Sequence, residues 1–258
     1  MPRDFDKTPM ENGMQIVCRE DGIHENMLMD ITVYQLEKGS SKEFLLPTKE
    51  TAVHLFAGDV TFQWEGQSAE ATRTWIFDLK SYTLHVCKGV QVVVTANTDS
   101  EIMVISTTND RTFASKLYTP DDLITGTTFP DKWDGAARRD VSTVFDYDNA
   151  PYSNLVVGEV INARGRWAGY IPHIHPQPEL YYYRMDHPNG FGAAFIGDDV
   201  YKITDRSFSA IPTNKSHPTV AAPGYRLGYI WVIRHLDGNP WLKTRNDEPA
   251  HEWLLDVE

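Results

Sequence analysis

The feature that most limits the fold of this chain is the punctuation of its hydrophobic pattern. Apolar and β-branched residues come in short alternating or clustered runs, at residues 29–37, 52–64, 74–78, 84–96 and 101–107. Turn residues close these runs, at Lys38-Gly39, Gly58-Asp59, Lys88-Gly89 and Asn97-Thr98-Asp99. Alternation with a period of two buries one face of a strand, and Gly, Asn and Asp supply the tight turns between strands. No segment of this half keeps a helical period for more than about two turns with a cap at each end. Strands of this length and spacing point to a sandwich or a barrel.

Residues 119–152 read differently, being rich in Pro, Gly and Asp without sustained periodicity, so 121–152 is expected to be an irregular connector. Strand-like runs then resume at residues 154–163, 179–185, 193–196, 207–211 and 226–234. The expected organisation is one β-barrel in residues 1–120 and another in 153–258, with no obvious internal repeat.

Composition narrows the function classes. The 258 residues carry a formal charge of -12 and no run of Lys or Arg, unlike the basic surfaces that bind phosphate backbones. Nucleic acid is therefore not an expected partner. No apolar stretch approaches the roughly 20 residues of a membrane helix, and the first residues have no signal-type apolar region. A cytoplasmic protein that does not bind membranes is expected. Cys18 and Cys87 are too few for a disulfide framework and have no CxxC spacing, so both read as small buried hydrophobes.

The chemistry concentrates after residue 165. In Pro172-His173-Ile174-His175-Pro176-Gln177-Pro178-Glu179 the two histidines stand at i and i+2, which places them on one face of a strand. Glu179 opens the next strand after a Pro-rich corner. Pro212-Thr213-Asn214-Lys215-Ser216-His217 then brings a third imidazole, with Asn214 where a left-handed residue is expected. Three imidazoles and one carboxylate suit one borderline divalent ion, Zn first, with Mn, Fe or Ni as alternatives, rather than Mg or Ca. Four protein ligands would leave coordination positions for substrate oxygens. His24, His54, His85 and His187 lack ligand-spaced partners, whereas His235 and His251 stay open to a place near the mouth of the second barrel.

These residues carry a resemblance. HxHxxxE followed by the later histidine is similar to the two-motif signature of cupins, double-stranded β-helix (jelly-roll) barrels. More of the chain resembles the bacterial 5-deoxy-glucuronate isomerases of inositol catabolism, relatives of the 5-keto-4-deoxyuronate isomerases. The matching landmarks are residues 155–160, Gly165-Arg166-Trp167, Glu179-Leu180-Tyr181-Tyr182-Tyr183, Pro188-Asn189-Gly190-Phe191, Ala222-Pro223-Gly224-Tyr225 and the tail 246–255. The resemblance implies an all-β chain of two cupin barrels, the first a degenerate one with Val92 in a ligand slot. It implies metal-dependent aldose–ketose isomerisation of a sugar acid, and a homo-oligomer.

Several further residues are candidates under that reading. Tyr181 and Tyr183 share a strand face with Glu179, and Glu252 lies in the matching tail, so these three are the candidate catalytic groups. An anionic substrate needs a local cation on so acidic a protein, and Arg166, Arg184 and Lys215 are the substrate-binding candidates, with Arg226 beside them. Two other classes remain open: a metal-dependent dioxygenase or decarboxylase, and a sugar-acid binding protein without turnover.

Overall fold

Alternate burial sorts the side chains of several strands, while the central ones are buried almost throughout. In Gln91–Ala96 and again in Phe191–Ile196, residues at every second position are buried and those between are less so. The computed structural model describes residues 4–78 and 81–257. These divide into two compact units, one of residues 8–123 and 149–154, the other of residues 4–7, 124–148 and 155–257. Nearly all of the regular structure is antiparallel strand, interrupted by short 3-10 turns.

The first unit is organised by the 16-residue strand Lys49–Trp64, which belongs to two sheets in succession. Its first part pairs with Ser100–Thr108 and Thr83–Val86, and its second part with Gln67–Arg73 and Gln91–Ala96. The change occurs where the register shifts between Leu55 and Ala57, beside Gly58 at φ +110°. A β-carbon at Gly58 would lie 2.7 Å from the Ser100 backbone, so only glycine permits the close approach. Val53, Leu55, Val60, Phe62, Val92 and Val94 fill the interior. Val92, in the slot that the resemblance assigns to a ligand, is fully buried among hydrophobic neighbours.

One buried acid holds this unit's two chain segments together. Glu50, with no exposure, accepts from Ser153 Oγ at 2.9 Å, the Asn154 amide at 2.6 Å and Asn109 Nδ2 at 3.2 Å. His85 Nε2 lies 2.9 Å from it. A buried carboxylate is tolerated where hydrogen bonds saturate it.

The second unit has a seven-stranded sheet in the order Phe5–Asp6, Phe208–Ile211, Glu179–Met185, Leu227–Arg234, Leu155–Asn162, Arg139–Phe145, Ile124–Thr128. A four-stranded sheet runs Trp167–Ala168, Thr219–Ala221, Phe191–Ile196, Asp199–Thr204. Ala168, Ala194, Ile203 and Ala221 of the smaller sheet share one core with Tyr181, Tyr183, Tyr229 and Trp231 of the larger. The larger sheet thus supplies the bulky aromatic rings, with aliphatic residues such as Val156 and Ile233 between them, and the smaller sheet meets them with small or aliphatic side chains. Gly158 stands directly across from Trp231, and a β-carbon there would come within 2.4 Å of the indole.

Two expectations from the sequence are corrected. Residues 121–152 are not an irregular connector, because Ile124–Thr128 and Arg139–Phe145 are paired strands at the edge of the seven-stranded sheet. Only one side of Ile124–Thr128 is paired and its residues are mostly exposed, so it carries no apolar alternation to read. Residues 74–78 do not form a strand either. Ile76–Asp78 is a 3-10 turn in which Asp78 Oδ2 accepts the Trp75 amide and Trp75 O accepts the Asp78 amide. Among the described residues no helix is long and apolar enough to cross a membrane.

Gly158→Ala forces the Trp231 ring out of its place across the sheet. The expected loss is about 1–3 kcal/mol of unfolding free energy, the usual cost of overpacking a dense core. Denaturant titration of the variant against the parent measures it.

Candidate metal centre

Glu179 opens the strand Glu179–Met185, between Ile211 on one neighbouring strand and Ile233 on the other, and is 4% exposed. Alternation along that strand sends Glu179, Tyr181, Tyr183 and Met185 to the inner face. His173 lies in the short strand His173–Ile174, paired with Asn246–Asp247 of the tail. His175 follows in the Pro-rich corner.

His217 lies in the loop after Phe208–Ile211. Two devices bring that loop in. Asn214 adopts φ +57°, and its amide donates to the carbonyl of His175 at 2.9 Å. Gly169, at φ +62°, would place a β-carbon 2.8 Å from the His217 carbonyl oxygen, so a side chain there would push the loop away.

Ligand atoms of His175, Glu179 and His217 lie within 4.8 Å of one another, and all three residues are buried. The Nε2 atoms of His175 and His217 each stand 3.1 Å from Glu179 Oε2. The His173 ring lies 4.8 Å from that of His217 and 6.3 Å from that of His175, beside the triangle rather than within its closest set.

The protons of the three rings are placed by backbone. Nδ1 of His173 donates to Ile171 O at 3.0 Å, that of His175 to Gln177 O at 3.0 Å, and that of His217 to Lys215 O at 2.8 Å. A carbonyl oxygen can only accept, so each Nδ1 carries hydrogen, and a ring in its neutral form presents its Nε2 lone pair. Two such lone pairs cannot face a carboxylate oxygen at 3.1 Å favourably unless a proton or a cation intervenes. His217 Nε2, buried, makes no hydrogen bond of good geometry. This orphaned atom, with the N/O donor set, fits a borderline divalent ion, and the carbonyls holding each Nδ1–H are the outer partners such ligands ordinarily have.

Electrostatics agree with that chemistry. Burial above all, with the Arg245 charge nearby, lowers the His173 pKa from 6.5 to about 3, keeping the ring neutral. Burial alone would raise the Glu179 pKa, but the adjoining His175 and His217 rings outweigh it and hold the carboxylate ionised. Burial raises the pKa of Tyr181, Tyr183 and Tyr229, so all three keep their phenolic protons.

The cluster opens onto a cavity of about 180 Å³. That is small beside the ~300–1,000 Å³ of drug-sized pockets. His173, His175 and Glu179 line it together with Tyr181, Tyr229, Trp231 and Trp241, and two guanidinium groups, Arg139 and Arg245, also face it.

The sequence-derived candidates separate. Tyr181 reaches the cavity, while Tyr183 is deeper in the core with its hydroxyl 2.8 Å from Ser209 Oγ. Glu252 is exposed in the 3-10 segment Pro249–Asp256. Arg184 is paired with Asp205 at 2.9 Å, and Lys215 is exposed with only its backbone carbonyl serving the centre. Arg166 and Arg226 line a different surface depression with Arg138 and Arg164. None of these six lines the cavity. Sequence reasoning missed Tyr229 and Trp231, which strand alternation in Leu227–Arg234 could have shown. It also missed Arg139 and Arg245, for which no local signal exists, since one sits in the supposed connector and the other in the irregular tail.

Comparison with known proteins shows what the chain as a whole is similar to. The model of the KduI/IolB family matches residues 5–254. A Bacillus velezensis protein named 5-deoxy-glucuronate isomerase is 26% identical over 243 residues, covering 87% of this chain and 86% of that one. Among solved structures, an IolB-like protein of Salmonella typhimurium LT2 has a TM-score of 0.84 at 20% identity, covering 97% and 98% of the two chains. An oxalate decarboxylase of Lactobacillus farciminis has a TM-score of 0.67 at 12% identity, covering 97% and 88%. At those identities the structural likenesses show a shared cupin-type fold.

Acid should destabilise the metal-free protein in a defined window. Unfolded His173 takes a proton near pH 6.5 but the folded ring refuses it until about 3, and unfolded Glu179 protonates near 4.5 while the folded carboxylate resists. In both cases the unfolded state binds more protons, so this stability is complete above about pH 6.5 and erodes as the pH falls below it. Melting temperatures with a chelator present, at pH 7.5, 5.5 and 4, should fall in that order, and His173→Gln should shallow the first step.

Proposed function

The chain belongs to the KduI/IolB family, and from that premise we propose that it is a metal-dependent isomerase converting 5-deoxy-glucuronate, an aldose acid, to the corresponding 2-ketose acid. The observation that carries this reading is the buried His/Glu triangle opening onto a small cavity that also holds two guanidinium groups. The substrate class is supported by the name of the Bacillus velezensis relative.

Aldose–ketose isomerisation moves a proton between adjacent carbons, and negative charge develops on the two neighbouring oxygens. His173, His175, Glu179 and His217 would hold one divalent ion, Zn first among Zn, Mn, Fe and Ni. When bound, it supplies Lewis acidity toward those oxygens. The remaining contributions belong to the chain itself. Tyr181, 5% exposed, has its ring 5.6 Å from that of His217 and 4.4 Å from that of Tyr229. Because its pKa is raised, Tyr181 serves as a hydrogen-bond donor to a developing oxyanion and not as the base. Trp231 and Trp241, rings 5.9 Å apart, wall the cavity and limit water around the charge being formed.

Two measurements test this. Purified protein should bind a divalent metal stoichiometrically by elemental analysis, and Glu179→Gln or His217→Ala should abolish that binding, whereas His187→Ala on the exposed surface should not. In an NMR time course the metal-loaded protein should convert 5-deoxy-glucuronate to the ketose without nicotinamide and without oxygen uptake. Tyr181→Phe should lower kcat by roughly 10²-fold, the order seen when one oxyanion donor is lost. Oxygen consumption or carbon dioxide release in place of the ketose would turn the reading toward a dioxygenase or decarboxylase. Tight binding with no product would turn it toward a binding protein.

A further inference from the structure

The cavity contains a charge with no protein counterpart. Arg139 is 7% exposed, and among the described residues no Asp or Glu makes an ion pair with it. Its Nη1 donates to Ala137 O at 3.1 Å and its Nη2 to Tyr170 O at 3.3 Å, and the guanidinium lies 5.4 Å from the centre of the Phe129 ring. Those carbonyls take two of the five N–H donors of a guanidinium, which leaves three without a carbonyl partner.

Strand geometry gives the direction. Arg139 and Val141 stand at i and i+2 of Arg139–Phe145 and both line the cavity, while Asp140 between them is engaged by Thr127 Oγ1 at 2.7 Å. The neighbouring acid thus points elsewhere. The second guanidinium of the cavity is already satisfied, because Arg245 pairs with Asp247 at 2.8 Å and donates to Ile171 O at 3.1 Å. Glu179, the acid in the cavity wall, is occupied by His175 and His217.

A buried guanidinium without an acid is costly unless an anion completes it, and its planar fork matches a carboxylate in bidentate geometry. We propose that Arg139 is the receptor for the substrate's carboxylate, fixing a sugar acid with its far end on this guanidinium and its carbonyl end toward the His/Glu cluster. This rests on the sugar-acid reading above and adds the residue that discriminates acids from neutral sugars. It also moves the assignment from Arg166, Arg184 and Lys215, none of which reaches the cavity.

Equilibrium binding tests the proposal independently of turnover. The metal-loaded protein is titrated by calorimetry with D-gluconate and with D-glucitol, its analogue lacking the carboxylate. The parent should prefer gluconate, and Arg139→Gln should lose roughly 30-fold or more in gluconate affinity, the usual cost of removing one partner of a buried charge pair. Its glucitol affinity and metal content should stay unchanged. Arg139→Lys, which keeps the charge without the fork, should fall between the two, and it carries the test alone if the Gln variant does not fold. In turnover, Arg139→Gln should raise KM for the sugar acid more than it lowers kcat. Gluconate bound no better than glucitol by the parent, or equally well by parent and variant, would overturn the proposal and leave Arg139 a clamp between two backbone carbonyls. Gluconate preference through Arg139 without isomerisation of any uronate would instead leave the carboxylate receptor standing and remove the isomerase reading.

Discussion

Everything at the centre depends on where three hydrogens sit. By donating Nδ1–H to carbonyls two residues away along the chain, His173, His175 and His217 are each locked into the tautomer that presents Nε2 inward. The same bonds fix ring orientation, so the way the rings face Glu179 is set by the fold itself. The loop partners are local and short-range, whereas their convergence is not. It requires the Asn214 turn, the bare backbone of Gly169 and the pairing of Glu179 between two strands.

Around that cluster the cavity wall separates charge from reactivity. The acidic net charge of -12 belongs to the chain as a whole, while the cavity contributes two guanidiniums and one carboxylate that is already engaged. Arg139 is the more telling of the two cations, since a buried charge without an acid has no folding advantage of its own. The tyrosines beside it are held protonated by burial, which suits them to donate hydrogen bonds and excludes them as bases at neutral pH.

The two units show how far a common strand pattern can be put to different use. In the first, the inward positions are aliphatic, with Val92 buried where the resemblance predicted a lost ligand, and its buried acid Glu50 ties chain segments instead of facing a cavity. In the second, inward positions at the cavity include His, Glu, Tyr and Arg among aliphatic neighbours such as Val160 and Ile233. Turning one inner face from packing to chemistry takes a few substitutions at alternating positions, because alternate residues along a strand leave the outward face untouched.

The all-β class and the grouping of His175, Glu179 and His217 were legible in the amino-acid order, because HxHxxxE, the later histidine and the short alternating runs are local patterns that strand periodicity translates directly into faces. Asn214 was legible for the same reason, its left-handed backbone being a property of one residue. Residues 124–128 and 139–145 were not, since an edge strand with little burial has no alternation to display. Nor was the identity of the cavity's cations. Arg166, Arg184 and Lys215 flank the motif in sequence yet lie away from the cavity, while Arg139 and Arg245 arrive from an edge strand and an irregular tail. Proximity along the chain determines which faces residues share. Only pairing between distant strands, which closes the inner face into a cavity, decides which charges look into it.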